Sequence, residues 1–241
     1  MKSLIILDCH NPELGPYLEK AVSDVFPNST QTNATYVGPE GVANFNVTML
    51  RLERNGPEAE PIPAFFSENA DSELVIGGFC PFSAAGLDIL KNLKLLCIAR
   101  GGYENILVEE ATKRGIAVFH APGRNAHSVS NAAIGLLLAE VRNIARAHHL
   151  LQQGTWQQRG YANANCEFDF NGRTLGLIGT GHIGRLVARK MSGFDMNIIA
   201  FDPYVSQEAL ANTGITLVDK ETLFKTSDFI SVHARLSPES Y

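Results

Sequence analysis

Residues 174–202 constrain the fold more than any other part of this chain. A short apolar run, Leu175-Gly176-Leu177-Ile178, leads into Gly179-Thr180-Gly181-His182-Ile183-Gly184, and Arg185-Leu186-Val187-Ala188-Arg189-Lys190-Met191 follows in helical period. The order is strand, glycine-rich turn, helix. Gly179 permits the tight turn, Gly181 lets the main chain approach a pyrophosphate, and Gly184 lets the helix lie close against the strand. The phosphates then meet N–H groups at the positive end of the helix. The next apolar run, Ile198-Ile199-Ala200-Phe201, ends in Asp202, at about the 20-residue spacing of a ribose-binding carboxylate. A bare glycine pattern is weak, but these four features together specify a dinucleotide site. An acid at this point accepts from ribose hydroxyls and repels a 2′-phosphate, which favours NAD over NADP.

The rest of the chain sets the frame. Its 241 residues are enough for two modest domains. With 45% hydrophobic and 19% charged residues, the composition is that of an ordinary globular protein. A formal charge of -5 with no Lys or Arg cluster gives no footprint for nucleic acid. The leading apolar run, Leu4-Ile5-Ile6-Leu7, is too short for a signal segment or a membrane span, so a cytoplasmic protein with no membrane partner is expected. Cys9, Cys80, Cys97 and Cys166 have no paired spacing and read as inert thiols, with no metal site.

Short apolar runs alternate with helix-like stretches, the pattern of parallel sheets covered on both faces. Strands are expected at residues 4–7, 47–50, 74–76, 95–99 and 117–120, and a surface loop at 53–63, where prolines and acids gather. Ala121-Pro122-Gly123 breaks the series. Ser128 or Ser130 then caps a long helix carrying Ile134, Leu137, Leu138, Val141 and Ile144 on one face, either a core helix or an interdomain hinge. Residues 154–171 are polar and irregular, and a second strand–helix series begins at Thr174. The expected architecture is α/β, with one domain over residues 1–121 and a second over 122–241.

Several segments together resemble the D-isomer-specific 2-hydroxyacid dehydrogenases, the family of phosphoglycerate, glycerate, D-lactate and formate dehydrogenases. They are Arg100-Gly101-Gly102-Tyr103-Glu104-Asn105-Ile106, Ala121-Pro122-Gly123-Arg124-Asn125-Ala126, the glycine loop, Phe201-Asp202-Pro203-Tyr204, and Ser227-Asp228-Phe229-Ile230-Ser231-Val232-His233. The first hundred residues match only in strand pattern. The resemblance implies a flavodoxin-like substrate domain, a Rossmann NAD domain and an active site in the cleft between them. It implies that the main chain of Gly101 and Gly102 holds the substrate carboxylate and that Tyr103 lies by the nicotinamide. It also implies that His182 and Ile183 contact the pyrophosphate, and that His233 and Ala234 line the cofactor pocket. A homodimer through the long helix is implied too.

Hydride transfer needs an acid or base at the substrate oxygen and a cation to polarise it. The family draws its Arg, Glu and His from a segment after the fourth Rossmann strand, and no residue up to Tyr241 matches them. No catalytic residue is therefore assigned, both domains are expected to be incomplete at their carboxyl ends, and the chain alone is expected to be inactive and poorly stable, or part of a longer one. Arg100 binds substrate or serves structure. His233 and Arg235 are weak substitutes for the missing base and cation, and His127, His148 and His149 read as surface or interface residues. After the third strand Gly77-Gly78-Phe79-Cys80-Pro81-Phe82-Ser83 carries no basic residue. Its aromatics either pack or favour a 2-hydroxy or 2-keto acid without phosphate. The rival to an NAD-dependent dehydrogenase is a non-catalytic NAD-sensing or corepressor-like module.

Overall fold

In the computed structural model, which describes residues 1–156 and 169–235, the chain divides into two units, Met1–Arg124 and Asn125–Tyr241. The division follows Arg124, where the sequence suggested Ala121. Cys166, most of the polar stretch at 154–171 and the last six positions lie outside the described residues.

In the first unit β1 (Lys2–Asp8), β2 (Thr30–Tyr36), β3 (Leu74–Gly77), β4 (Leu95–Ile98) and β5 (Ala117–His120) form one sheet in the order β2-β1-β3-β4-β5. Every pairing is parallel. Helices α1 (Gly15–Val25), α2 (Phe45–Asn55), α3 (Phe65–Glu68), α4 (Ala84–Ile89) and α5 (Val108–Lys113) link the strands. The two-residue period of β1 explains its apolar run. Leu4 and Ile6 join Phe66, Val75, Phe82, Leu87 and Leu96 in one core, while Ile5 packs with Val22 and Leu74 in another. Both faces are buried, so no alternation shows in the sequence. Each such side chain contributes about 1.5–3 kcal/mol through burial.

Two expectations fail in this unit. Residues 47–50 are helical, inside α2. The buried positions there are Phe45, Thr48 and Leu52, at helical spacing, and Val47 and Leu50 face solvent. The strand next to β1 is instead β2, Thr-Gln-Thr-Asn-Ala-Thr-Tyr, paired from Lys2 with Thr30 to Asp8 with Tyr36. As an edge strand with mostly open faces it needs little apolar character. The acidic segment at 53–63 is also more than a surface loop. Glu60 is buried and ion-paired to Arg51, which reaches Glu40 at 2.8 Å as well.

The second unit carries β6 (Thr174–Ile178), β7 (Asn197–Phe201), β8 (Ile215–Leu217) and β9 (Phe229–Val232) in the parallel order β8-β7-β6-β9. Its helices are α6 (Ala126–Val141), α7 (Ile144–Gln152), α8 (His182–Met191) and α9 (Lys220–Thr226). Helix α8 buries Gly184, Val187, Ala188 and Met191, one stripe at 3.6-residue period, against Leu175 and Leu177 of β6. Helix α6 begins at Asn125 without a capping side chain, not at Ser128 or Ser130. Ser130 lies inside the helix, buried, where its hydroxyl accepts from Lys190 of α8 at 2.6 Å. The same ammonium reaches Asn131 Oδ1 at 2.6 Å and the His127 carbonyl at 3.4 Å. Ile144 does not continue α6. Asn143 takes a left-handed conformation (φ 53°) and separates it into α7, a position that asparagine tolerates better than most residues.

Candidate functional site

The order in the second sheet puts β6 between β7 and β9, so chain connections leave β6 in opposite directions. Ligands of such sheets bind at the carboxyl ends of the strands at this switch point. The turn after β6 is the glycine loop. Gly179 has φ +94°, and a side chain there would stand 2.9 Å from the Ala234 nitrogen and 3.0 Å from the His233 carbonyl oxygen. His233 N–H in turn donates to the Ile178 carbonyl at 2.7 Å. The main chain after β9 is thus pressed against the turn, which explains why His233 and Ala234 share this end of the sheet. A side chain on Gly184 would collide with the Gly179 carbonyl. One on Gly181 would meet nothing within 4 Å.

The loop is therefore tight on its inner side and open at Gly181, where helix α8 starts with His182 and Ile183 and no side chain caps it. An open turn with free N–H groups at a helix start is the geometry that suits a pyrophosphate. Asp202, just past β7, completes it. Its Oδ2 accepts from both the N–H and the hydroxyl of Thr180, each at 2.8 Å, and its Oδ1 accepts from Tyr204 N–H at 3.1 Å. Burial pushes this carboxyl up, but the Thr180 and Tyr204 donors and the charge of Arg185 outweigh it and hold it below the usual range. The carboxylate stays ionised, as a ribose acceptor must. Thr180 is a residue the sequence reading passed over. Its signal was present, a small hydroxylic side chain wedged between two glycines of a turn. The His233 ring lies 2.9 Å from Ser231 Oγ, and burial lowers its pKa.

The first unit has a shallow crevice at the carboxyl ends of β1, β3 and β4, lined by Asp8, Asn11, Gly77, Gly78, Phe79, Arg100 and Arg124, among others. Arg100 is buried, and its guanidinium is held on three sides. It donates to Glu53 at 2.7 Å, approaches Asn105 Oδ1 at 3.5 Å, and stacks 3.5 Å above the Phe79 ring. These contacts account for a structural role of Arg100. Neither Glu53 nor Asn105 had been singled out from sequence. Asn105 is fully buried and gives its amide to the carbonyls of Gly78 and Cys80 at 3.0 and 2.7 Å, while its own carbonyl accepts from Phe82 N–H at 2.8 Å. Gly101 follows directly, with its carbonyl 2.9 Å from His120 Nδ1, and Tyr103 sits edge-on to His120 with ring centroids 5.2 Å apart. Phe82 is fully buried and stacks on Phe66, so it packs.

Residues 134–241 match the family model described as D-isomer specific 2-hydroxyacid dehydrogenase, NAD binding domain. That match, with the relatives that follow, places residues 134–241 in the D-isomer-specific 2-hydroxyacid dehydrogenase family. It is 34% identical over 195 residues to D-3-phosphoglycerate dehydrogenase of Archaeoglobus fulgidus, covering 78% of this chain and 36% of that protein. It is 41% identical over 164 residues to hydroxypyruvate reductase of Thermotoga maritima, covering 68% of this chain and 51% of the relative. The chain thus spans about a third to a half of the length of these curated relatives. Among solved structures it is similar to the apo form of D-lactate dehydrogenase from Escherichia coli, with a TM-score of 0.66, 26% identity, and coverage of 100% of this chain and 67% of that one. A glyoxylate reductase structure shares the fold with a TM-score of 0.72 at 24% identity, over 100% of this chain and 66% of its own. These likenesses agree with the two parallel sheets. The cofactor of this dehydrogenase family domain is NAD, and the open cradle at Gly181 with an ionised Asp202 fits it.

No helix among the described residues is long and apolar enough to cross a membrane.

Proposed function

We propose that the protein is an NAD-dependent oxidoreductase that interconverts a D-2-hydroxy acid and its 2-keto acid. The observation that carries this reading is the ionised Asp202 fixed beside the open glycine cradle. NAD, when bound, supplies the hydride acceptor. Gly179, Gly181 and Gly184 shape the loop, the main chain of His182 and Ile183 meets the pyrophosphate, Asp202 takes the ribose, and His233 and Ala234 wall the pocket. In the first unit the main chain of Gly101 and Gly102 holds the substrate carboxylate, and Tyr103 lines the nicotinamide end. Arg100 supports that loop from below through Glu53 and Phe79.

We assign proton transfer to no described residue, because the most suitable imidazole, His233, is partnered by Ser231 and not by a carboxylate. That one observation favours a second reading, an NAD-binding module without turnover of its own. Titration with NAD and NADP, followed by assay of NADH oxidation with glyoxylate, pyruvate and hydroxypyruvate on the full-length coding product, separates the readings. NAD binding with turnover supports the dehydrogenase, NAD binding without turnover supports the module, and tighter NADP binding sinks both as stated.

The substrate is proposed to carry no phosphate. The loop after β3 offers Phe79 and main chain, and the charge of Arg124 at the crevice is opposed by Asp8. A clear preference for 3-phosphoglycerate over unphosphorylated 2-hydroxy acids would end this. Free Cys9, Cys80 and Cys97 suit a reducing, cytoplasmic setting. A homodimer through α6, whose Leu136 is 74% exposed, predicts a dimeric mass at micromolar concentration.

A further inference from the structure

We propose that Thr180 is the positioning residue for Asp202 and that it sets the selectivity for NAD over a 2′-phosphorylated dinucleotide. This rests on the NAD reading above. Thr180 is fully buried in the middle of the glycine turn, although turn residues of this kind are commonly solvated. Its N–H and its hydroxyl converge on one atom, Asp202 Oδ2, at 2.8 Å each. Its carbonyl accepts from Arg185 Nε at 2.8 Å, so the first turn of α8 fixes the main chain of the same residue. A carboxylate oxygen offers about two lone-pair sites. Thr180 fills both on Oδ2. Tyr204 N–H occupies one on Oδ1 and leaves the other.

The consequence is directional. Oδ1 is the oxygen that accepts a ribose hydroxyl, and Oδ2 is kept turned into the loop as a fixed negative charge. A 2′-phosphate placed there meets a carboxylate that cannot swing aside without giving up two charge-assisted hydrogen bonds. Asp202 supplies the charge, and Thr180 supplies its immobility. A residue in this position that merely filled space would affect both dinucleotides alike.

The test uses the whole chain and reads binding, by calorimetric titration with NAD and with NADP. Thr180→Val keeps the shape and replaces the hydroxyl with a methyl group, which cannot donate to Asp202. Its NAD dissociation constant is expected to rise about tenfold, the effect of one charge-assisted hydrogen bond, while the NADP constant moves much less. Thr180→Ser restores both. If Thr180→Val does not fold, as judged by circular dichroism, Thr180→Cys, with its weak donor, takes its place with the same expectation. Equal weakening of NAD and NADP overturns the proposal, because that is the signature of a structural role. So does weakening by Asp202→Asn with no effect of Thr180→Val, which leaves the NAD reading standing. Failure of the unmodified chain to bind NAD overturns both.

Discussion

Arg100 donates to Glu53 at 2.7 Å across 47 residues of sequence, joining the end of β4 to helix α2. Only 9% of the Arg100 side chain is exposed, against 42% for Glu53, so the guanidinium is the desolvated partner. Burial alone lowers its pKa, and Glu53 and Glu104 oppose that. Replacing it with Met removes the charge but leaves Glu53 able to reach water. Arg100→Met is therefore expected to lower the stability of the first unit by about 2 kcal/mol. Urea denaturation checks it.

Lys190 ties α8 to the start of α6 through three oxygens. Lys190→Met leaves the buried Ser130 hydroxyl without that donor, and about 1–2 kcal/mol of stability is expected to be lost. Thermal melting of the variant measures it. An unchanged midpoint would show that the contacts are worth no more than those to water.

Gly179→Ala forces a side chain into φ +94° and against His233 and Ala234. Strain of about 1–3 kcal/mol is expected, together with a loss of NAD affinity of roughly tenfold or more. Gly184→Ala is expected to weaken NAD binding too, by driving α8 away from the Gly179 carbonyl. Gly193→Ala, where an added Cβ meets nothing within 4 Å, serves as the control and should bind normally.

His233 titrates below the ordinary histidine range because it is half-buried. The folded state therefore prefers the neutral ring. Its contribution to stability is fully present above the unfolded value, about 6.5, and is lost as pH falls through the lower folded value. Melting temperatures between about pH 7.5 and pH 5 should drop on the acid side, and His233→Asn should make that drop shallower. Identical slopes in the two proteins would rule the ring out as the cause.

What could be read in the sequence followed from how local the cause was. The glycine turn, its flanking strand and helix, and Asp202 obey rules of spacing and main-chain geometry, so all were visible at once. Strand β2 was hidden because an edge strand is exempt from the apolar pattern used to find strands, and Val47 and Leu50 imitated one from the wrong face of a helix. Asn143 was hidden because a left-handed residue has no apolar signature of its own, and Ile144, which seemed to extend the stripe, is exposed. The partners that define the site, Glu53 for Arg100 and Thr180 for Asp202, are long-range contacts. The spacing rule brings Asp202 to the glycine turn but does not name Thr180 as its partner, and no such rule links Glu53 to Arg100.

Asn105 has a wider effect than its hydrogen bonds taken singly suggest. By tying Gly78 and Cys80 to the segment after β4, while Phe82 N–H donates to the Asn105 main-chain carbonyl and Leu107 N–H donates to the Phe82 carbonyl, it makes two loops into one mechanical part. Neither can flex or be remodelled alone. A lineage adapting this crevice to a new acid would have to alter both loops in concert, or leave both untouched and adjust the walls around them.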